Sequence, residues 1–185
     1  MGVLDNNYDV IIICETWLTK CFNSEEYFPS DYVVHRKDRY YYDTSLKGGG
    51  VLIAVQCLIP NEMIACHLIH DVIAVRVKVA NSSVLVVAVY IPCGSNLDYY
   101  IDIINFIDSA VSLAQTDEQI MIIGDFNLPN MSWFDVNGVF TSSSTDENAI
   151  AIIYYCASIA TTQINRISNG LGKFLDLLFS TDVMY

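Results

Sequence analysis

The chain has 185 residues, of which 53% are apolar and 16% are charged. This much apolar material can bury a core, so the composition excludes a disordered chain, and the length fits a single domain over residues 1–185. Nine basic against 21 acidic residues give a net charge of −12, which disfavours a nucleic-acid substrate unless a metal ion or a local basic patch reverses the field.

Signals for membrane insertion, secretion and disulfide formation are missing from the sequence. No apolar run reaches the roughly 18 residues that span a bilayer, and the first residues lack the basic and apolar regions of a signal peptide. The six cysteines form no Cys-x-x-Cys pair, and the segment Cys66-His67-x-x-His70 has no second ligand pair to complete a zinc site. We therefore expect reduced thiols in an intracellular protein, nuclear or cytoplasmic, that is neither secreted nor bound to a membrane.

Short β-branched runs bounded by turn residues predict strands along most of the chain. The first and the fifth of these runs are continuously apolar, which is typical of strands buried on both faces. The third and fourth are separated by Asn81-Ser-Ser83, a turn sequence that predicts a hairpin. The predicted strands cover residues 9–14, 51–55, 72–79, 84–90, 120–123 and 174–179.

Two helices are predicted between these strands. Ser95 with Asp98 three residues later marks the start of the first, and Ser144 with Glu147 forms a capping box at the start of the second. Residues 129–145 are polar and are predicted to form a loop. Because hairpins alternate with helical crossovers, the order of elements favours an α/β (α+β) fold with two packed mixed β-sheets flanked by helices.

Acidic and amide side chains follow the buried strands. Glu15 follows the first strand, and Asp125 and Asn127 follow the fifth, where loops at a sheet edge commonly build sites. Asp176 lies inside the last apolar segment, and a buried carboxylate there requires a metal, a donor or a neighbouring side chain as partner. Each residue taken singly is also compatible with a simple turn or loop start.

Four motifs occur in a fixed order, and together they resemble those of a known family. They are Glu15-Thr16-Trp17-Leu18, Val89-Tyr90-Ile91-Pro92, Gly124-Asp125-Phe126-Asn127-Leu128-Pro129 and Phe174-Leu175-Asp176-Leu177. From about residue 8 to its end, the chain resembles the endonuclease/exonuclease/phosphatase family, and most of all the endonuclease domain of non-LTR retrotransposons. The resemblance implies a four-layered sandwich, cleavage of DNA phosphodiester bonds with Mg²⁺ (or Mn²⁺) as cofactor, and association with a reverse transcriptase.

The resemblance also implies a role for each of five residues. Glu15 matches the metal-binding glutamate, and Tyr90 matches the tyrosine that contacts the scissile phosphate. Asp125 matches the residue that orients or deprotonates the attacking water, Asn127 the amide that holds phosphate oxygens, and Asp176 the acid that orients a catalytic histidine. These residue types suit the chemistry, because Mg²⁺ prefers hard oxygen ligands and keeps several waters. An amide and a phenol can bind phosphate oxygens without adding negative charge.

The sequence departs from the family at both ends. The family begins with an asparagine-bearing strand and ends with a Ser-Asp-His triplet, whereas here only fourteen residues precede Glu15 and Asp182 is followed by Val183. We therefore expect a domain truncated at both ends, without the first and last strands, and with impaired activity. The three histidines lie far upstream, at His35, His67 and His70.

Three functions remain open from the sequence. The first is a metal-dependent endonuclease that nicks DNA, and the second is a non-catalytic remnant of that domain, suggested by the missing ends. The third is a phosphatase of a small phosphorylated substrate on the same fold, which the acidic net charge favours. Whether this chain alone is an enzyme is undecided, because the Ser-Asp-His triplet is absent.

The one local cluster of basic residues is Arg36, Lys37 and Arg39.

Overall fold

The computed structural model describes residues 8–39, 48–136 and 139–182. Within these ranges the chain forms eleven strands and two α-helices, with one short 3₁₀ helix at Ser24–Glu26. In chain order the elements are β1 (Val10–Cys14), β2 (Tyr32–Lys37), β3 (Val51–Gln56), β4 (Asn61–Cys66), β5 (Asp71–Val79), β6 (Ser82–Tyr90), α1 (Leu97–Val111), β7 (Gln119–Asp125), β8 (Ser132–Val136), β9 (Val139–Ser143), α2 (Glu147–Ser158), β10 (Thr162–Gln163) and β11 (Asp176–Ser180).

The strands form two main sheets that face each other. One is three-stranded and antiparallel, with the order β1-β3-β2. The other is six-stranded, with the order β10-β11-β7-β6-β5-β4, and its β6–β7 pair is parallel while the other pairs are antiparallel. Helix α1 connects β6 to β7, because parallel neighbours need a crossover rather than a tight turn. Strands β8 and β9 form a separate hairpin.

Apolar side chains fill the space between the two sheets. Ile53 and Val55 of β3 pack in one cluster with Val75 of β5 and Val86 of β6. Successive residues of a strand point to opposite faces, so β5 and β6 contribute alternate side chains to this core and to the one on the other side of the six-stranded sheet. Both faces of that sheet are apolar, which explains the continuous apolar runs of the sequence.

Both helices cover the outer face of the six-stranded sheet. Tyr100 of α1 and Ile152 and Cys156 of α2 join Val87 of β6 in a second core cluster. On the other side of the molecule, the three-stranded sheet packs against the segment before β2, where Phe28 is buried. The predicted fold class, two packed sheets flanked by helices, is confirmed in this form. Neither helix of the described ranges combines the length and the apolar character needed to cross a bilayer.

The residues that cap the two helices differ from those predicted. Asn96 caps α1 by accepting a hydrogen bond from the Tyr99 amide, whereas the Ser95 hydroxyl donates to a backbone carbonyl. Asp146 caps α2, and the hydroxyl of Ser144 accepts from the Asp146 amide instead of capping the helix. Asparagine and aspartate cap as well as serine does, so the serines were free to form the preceding turns.

The prediction of a loop over residues 129–145 is wrong, because this segment contains the β8–β9 hairpin. Trp133 stacks on Phe140 with ring centroids 5.2 Å apart, and Phe174 packs edge-on against Phe140 at 5.3 Å. These aromatic contacts stabilise a segment whose serine-rich composition resembles a loop. Strands β2, β4 and β10 are also absent from the predicted set. All three lie at sheet edges, where mixed polarity hides the alternation of a strand.

Candidate active site

Four polar residues form a row across the six-stranded sheet at one end of the inter-sheet core. Asp71 of β5 lies opposite Tyr90 of β6. Asp125 of β7 lies opposite Tyr90 on the other side and opposite Asp176 of β11. Residues that are opposite in a sheet share a face, and Tyr90 belongs to the core between the sheets. The whole row therefore faces the three-stranded sheet.

Glu15 reaches this row from the three-stranded sheet. It directly follows β1 with a left-handed φ of 52°, and the Tyr90 hydroxyl donates a hydrogen bond to its Oε1. The thiol of the preceding Cys14 donates to the carbonyl of Val89 at 3.3 Å, which joins the ends of β1 and β6. Burial, with a smaller contribution from the carboxylates of the site, raises the pKa of the Cys14 thiol to about 12. This sulfur is therefore an unreactive packing group.

The Gly-Asp-Phe-Asn segment forms a tight turn at the end of β7. The amide of Asn127 donates to Asp125 Oδ1 at 2.9 Å, and its side-chain Nδ2 donates to Asp125 Oδ2 at 3.1 Å and to the Ile91 carbonyl at 2.7 Å. Asn127 has a φ of 48°, which asparagine tolerates better than most residues. Phe126 is fully buried, and its carbonyl accepts from the Tyr100 hydroxyl at 2.8 Å. The turn therefore holds Asp125 and Asn127 in one fixed arrangement.

The environment of Asp125 suits a group that accepts a proton near neutral pH. Its pKa is raised to about 6, mainly by burial and also by the carboxylates of Asp176 and Glu15, while the hydrogen bond from the Asn127 amide opposes the rise. A base with a pKa close to the working pH is ionised and still basic enough to take a proton in a transition state.

Asp176 lies in a different environment from the one predicted. The expectation of a buried carboxylate inside a strand is wrong, because Asp176 is the first residue of β11 and is exposed to solvent. The strand begins two residues later than predicted, so the charge lies at the rim of the cleft. Partial desolvation there raises the pKa of Asp176. It needs no buried partner, and it contributes negative charge to the site.

The donor atoms at the site suit Mg²⁺. Glu15 and Asp125 offer carboxylate oxygens and Asn127 an amide group, which are hard donors. The described residues contain no cluster of three or more His, Cys, Asp or Glu side chains arranged to hold a metal. A site with so few protein ligands fits an ion that keeps several of its waters, as Mg²⁺ commonly does.

The three histidines have partners other than the site carboxylates. His35, on β2, has its Nε2 2.6 Å from Oδ1 of Asn61, on β4. His67 and His70 stack with ring centroids 4.7 Å apart in the turn between β4 and β5, and His67 Nδ1 accepts the His70 amide at 2.9 Å. These contacts engage the imidazoles away from Asp176, the acid that by resemblance would orient a catalytic histidine.

Arg39 and Asp71 belong to the site but are not among the residues predicted from the sequence. Arg39 Nε donates to Asp71 Oδ2 at 2.8 Å, and its Cζ lies 5.1 Å from the centre of the Tyr90 ring. Two signals could have found them. Asp71 directly precedes a β-branched run, and Arg39 belongs to the one local cluster of basic residues.

Two glycines permit the close approaches that shape the site. A Cβ on Gly124 would collide with the carbonyl oxygen of Val89, so glycine lets β7 lie against β6 next to Asp125. A Cβ on Gly49, which has a φ of 83°, would collide with the guanidinium of Arg39. Both positions therefore need a residue without a side chain.

Solved structures share this fold. The endonuclease domain of TRAS1, a telomere-specific non-LTR retrotransposon, matches with a TM-score of 0.64 and 12% identity, over 97% of this chain and 75% of that chain. The AP endonuclease LMAP from Leishmania major matches at 0.62 and 11% identity, over 96% and 71%. An endonuclease/exonuclease/phosphatase family protein from Leptotrichia buccalis matches at 0.53 and 16% identity, over 96% and 77%. No protein-family model and no curated protein matches the sequence.

Proposed function

We propose that this chain, which has the endonuclease/exonuclease/phosphatase fold, is a metal-dependent phosphodiesterase that nicks DNA as the endonuclease of a non-LTR retrotransposon. The observation that carries the proposal is the row of Tyr90, Asp125 and Asp176 on one sheet, with Tyr90 bonded to Glu15 of the other. A metal ligand, a neutral donor and a base are thereby gathered at one end of the molecule. Association with a reverse transcriptase and an intracellular location belong to the same proposal.

The roles of the side chains follow from their environment. Asp125 is ionised at neutral pH and accepts a proton from the attacking water. Burial and the hydrogen bond to Glu15 raise the pKa of Tyr90, so its hydroxyl stays a neutral donor. Its one proton orients Glu15 in the free chain and, without adding charge, binds a phosphate oxygen once substrate displaces that bond. Asn127 holds Asp125 in place. Both hydrogens of its Nδ2 are donated within the chain, to Asp125 and to the Ile91 carbonyl, so it binds a phosphate oxygen by exchanging one of these bonds. Mg²⁺ or Mn²⁺ held by Glu15, with or without Asp125, would neutralise charge on the phosphate and the leaving oxygen.

The basic residues show how a polyanionic substrate would have to be met by a chain with a net charge of −12. Eight of the nine Lys and Arg residues lie in the described ranges, and two of these, Arg76 and Lys78, lie on β5 away from the site. Of the other six, Arg36 and Lys37 are the last two residues of β2 and the remaining four lie outside the strands; Arg36 and Arg39 form ion pairs with Asp38 and Asp71. Because two of these cations are paired with aspartates and the site contains the carboxylates of Glu15, Asp125 and Asp176, the basic residues only reduce the negative potential there, and a bound divalent cation would have to supply the rest. The six are Lys20, Arg36, Lys37, Arg39, Arg166 and Lys173.

The proposal is tested by nicking of supercoiled plasmid in the presence of Mg²⁺. Asp125→Asn keeps the shape of the side chain but removes the base, so we expect a loss of about 100-fold or more in rate. Asp108→Asn is the matched control, because Asp108 is an exposed carboxylate of α1. We expect Asp108→Asn to nick plasmid at the wild-type rate. A chelator should abolish nicking by both the wild type and Asp108→Asn. Equal nicking by wild type and Asp125→Asn would contradict the proposal.

A non-catalytic protein of the same fold is the second candidate, and the contacts of the three histidines favour it. It predicts that the folded wild-type chain nicks plasmid no faster than Asp125→Asn. A third result, release of phosphate from p-nitrophenyl phosphate without nicking, would favour the phosphatase.

A further inference from the structure

We infer that Arg39 and Asp71 form a positioning pair that fixes the orientation of the Tyr90 ring, and with it the hydrogen bond from Tyr90 to Glu15. The effect of the pair on catalysis rests on the proposed function. Its effect on the ring does not, and each can be measured separately.

Asp71 is buried in a place where a carboxylate needs a partner. Its side chain is 2% exposed, and it lies directly opposite Tyr90 in the antiparallel pairing of β5 with β6. Oδ2 accepts from Arg39 Nε at 2.8 Å and lies 2.7 Å from Nη2, while Oδ1 is buried with no hydrogen-bond partner within the described part of the chain. Because an unpaired buried charge is costly, Asp71 holds the arginine firmly beside Tyr90.

Arg39 in turn has little freedom to move. Its guanidinium carbon lies 5.1 Å from the centre of the Tyr90 ring, within the range of a cation–π contact. It also packs so closely on the backbone of Gly49 that a Cβ there would collide with it. The Gly49 carbonyl accepts the Trp17 amide at 2.9 Å, which connects this backbone to the segment that carries Glu15. The Arg39–Asp71 ion pair therefore packs against the Tyr90 ring in one fixed arrangement.

The location of Tyr90 explains why its ring needs the restraint of the ion pair. Tyr90 is the last residue of β6 and lies at the end of the inter-sheet core, where the apolar packing gives way to the polar row. Asp71 occupies the neighbouring position on β5, so the ring is bordered on that side by this carboxylate and by the arginine that it holds. The directional contacts of the charged pair supply the restraint there. Because a donor must be aligned when charge develops on the substrate, we expect the pair to affect kcat more than KM.

The chain offers a matched control at the other end of the same strand. Arg76 of β5 donates from Nε to Glu118 Oε1 at 2.7 Å, and the two side chains are 8% and 0% exposed. Arg76 lies opposite Leu85, near the start of β6, whereas Asp71 lies opposite Tyr90 at its end. Both are largely buried arginine–carboxylate pairs, although Arg76 also binds the exposed Glu62 at 2.7 Å, and only the Arg39–Asp71 pair contacts the site.

The catalytic test compares the two pairs with and without the Tyr90 hydroxyl. The variants R39M/D71L and R76M/E118L each remove both partners, which avoids leaving an unpaired buried charge. We expect R39M/D71L to lower kcat for plasmid nicking about 10-fold with KM nearly unchanged. In the Y90F background the same change should cost less than about two-fold, because the pair acts through the hydroxyl. R76M/E118L should have an equal effect in both backgrounds. An equal effect of R39M/D71L in both backgrounds would overturn the inference.

The second test does not depend on activity. With 3-fluorotyrosine at position 90, we expect one ¹⁹F resonance in the wild-type chain and in R76M/E118L, and a split or broadened resonance in R39M/D71L, whose ring is free to reorient. A shift without splitting or broadening follows from loss of the nearby guanidinium charge alone and counts as unchanged. If R39M/D71L fails to fold by circular dichroism, Arg39→Lys gives the same readout, because lysine keeps the charge but loses the planar guanidinium. An unchanged ¹⁹F spectrum would overturn the inference whether or not the chain nicks DNA. The expected spectral change in a wild-type chain without nicking would reject the proposed function alone.

Discussion

Tyr90 and Asp125 lie directly opposite each other in the parallel pairing of β6 with β7. Parallel neighbours end at the same edge of a sheet, so the α1 crossover between them delivers both side chains to one place. One step before this pair, Val89 lies opposite Gly124, and the absence of a side chain on the glycine sets how closely the two strands approach.

Gly124→Ala should therefore be severely destabilising. The added Cβ would collide with the Val89 carbonyl oxygen, and relief requires β7 to move away from β6. We expect the free energy of unfolding to fall by about 3 kcal/mol, as measured by urea denaturation. Gly170→Ala is the control, because a Cβ there meets no atom within 4 Å, and it should change stability by less than about 0.5 kcal/mol. Similar losses for the two variants would contradict this prediction.

Glu15→Gln should weaken the response to Mg²⁺. The amide keeps the shape of the carboxylate and an acceptor for the Tyr90 hydroxyl, but it lacks the charge that binds a cation. An ion that binds the folded state raises the melting temperature, so the wild-type chain should melt higher as MgCl₂ is added. We expect the variant to need about ten times more Mg²⁺ for the same rise. Glu26→Gln, on the exposed 3₁₀ helix, should behave as wild type. An unaltered Mg²⁺ response of Glu15→Gln would count against its assignment as a metal ligand.

Stability without metal should fall as the pH rises through the pKa of Asp125. This pKa is about 6 in the folded chain and 3.8 for an ordinary aspartate. As the pH rises between these values, the unfolded state loses its proton first and is stabilised relative to the folded state. Asp125→Asn removes that penalty, so its advantage over the wild type in stability should grow between pH 4.5 and pH 7.5, although its one acceptor oxygen can take only one of the two hydrogen bonds from Asn127. This increase should be about 1 kcal/mol, because solvent screening at this partly exposed side chain reduces the roughly 3 kcal/mol of the full difference. Urea unfolding with a chelator at pH 4.5 and 7.5 measures it, and a larger advantage at pH 4.5 would contradict the sign.

Two substitutions of Asn127 should separate its amide from its backbone conformation. Asn127→Ala removes the hydrogen bonds to Ile91 and Asp125 and places alanine at a φ of 48°, so it should lower stability by about 2 kcal/mol. Asn127→Gly loses the same amide but adopts this φ without strain, so it should recover about 1 kcal/mol of the loss. Thermal or urea unfolding gives both values. Equal stability of the two variants would show that the backbone conformation carries no cost.

The part of the site that depends on strand ends could be predicted from the sequence. Glu15 and Asp125 each follow an apolar run long enough to define a buried strand, and a polar residue after such a run lies at a sheet edge. The predicted strands at 9–14, 51–55, 72–79, 84–90 and 120–123 are confirmed, with bounds that shift by one or two residues.

Contacts that depend on how elements pack could not be predicted in the same way. Arg39 and Asp71 are 32 residues apart and meet only because the end of β2 lies over the start of β5 in the facing sheet. Periodicity within a strand carries no information about such a pairing. The β8–β9 hairpin is not predictable from composition for a related reason, since Trp133 and Phe140 stabilise it through ring stacking that composition does not reveal.

Glu15 is carried by one sheet and Asp125 by the other, so the spacing between these carboxylates is set by how the two layers lie on each other. That arrangement is held by buried aliphatic contacts such as those of Ile53 with its neighbours across the interface. Removing a methyl group from this interior would allow the layers to shift, and the carboxylates of Glu15 and Asp125 would move apart although neither residue is itself changed. Residues that never touch a substrate would thus be under selection for turnover as well as for folding.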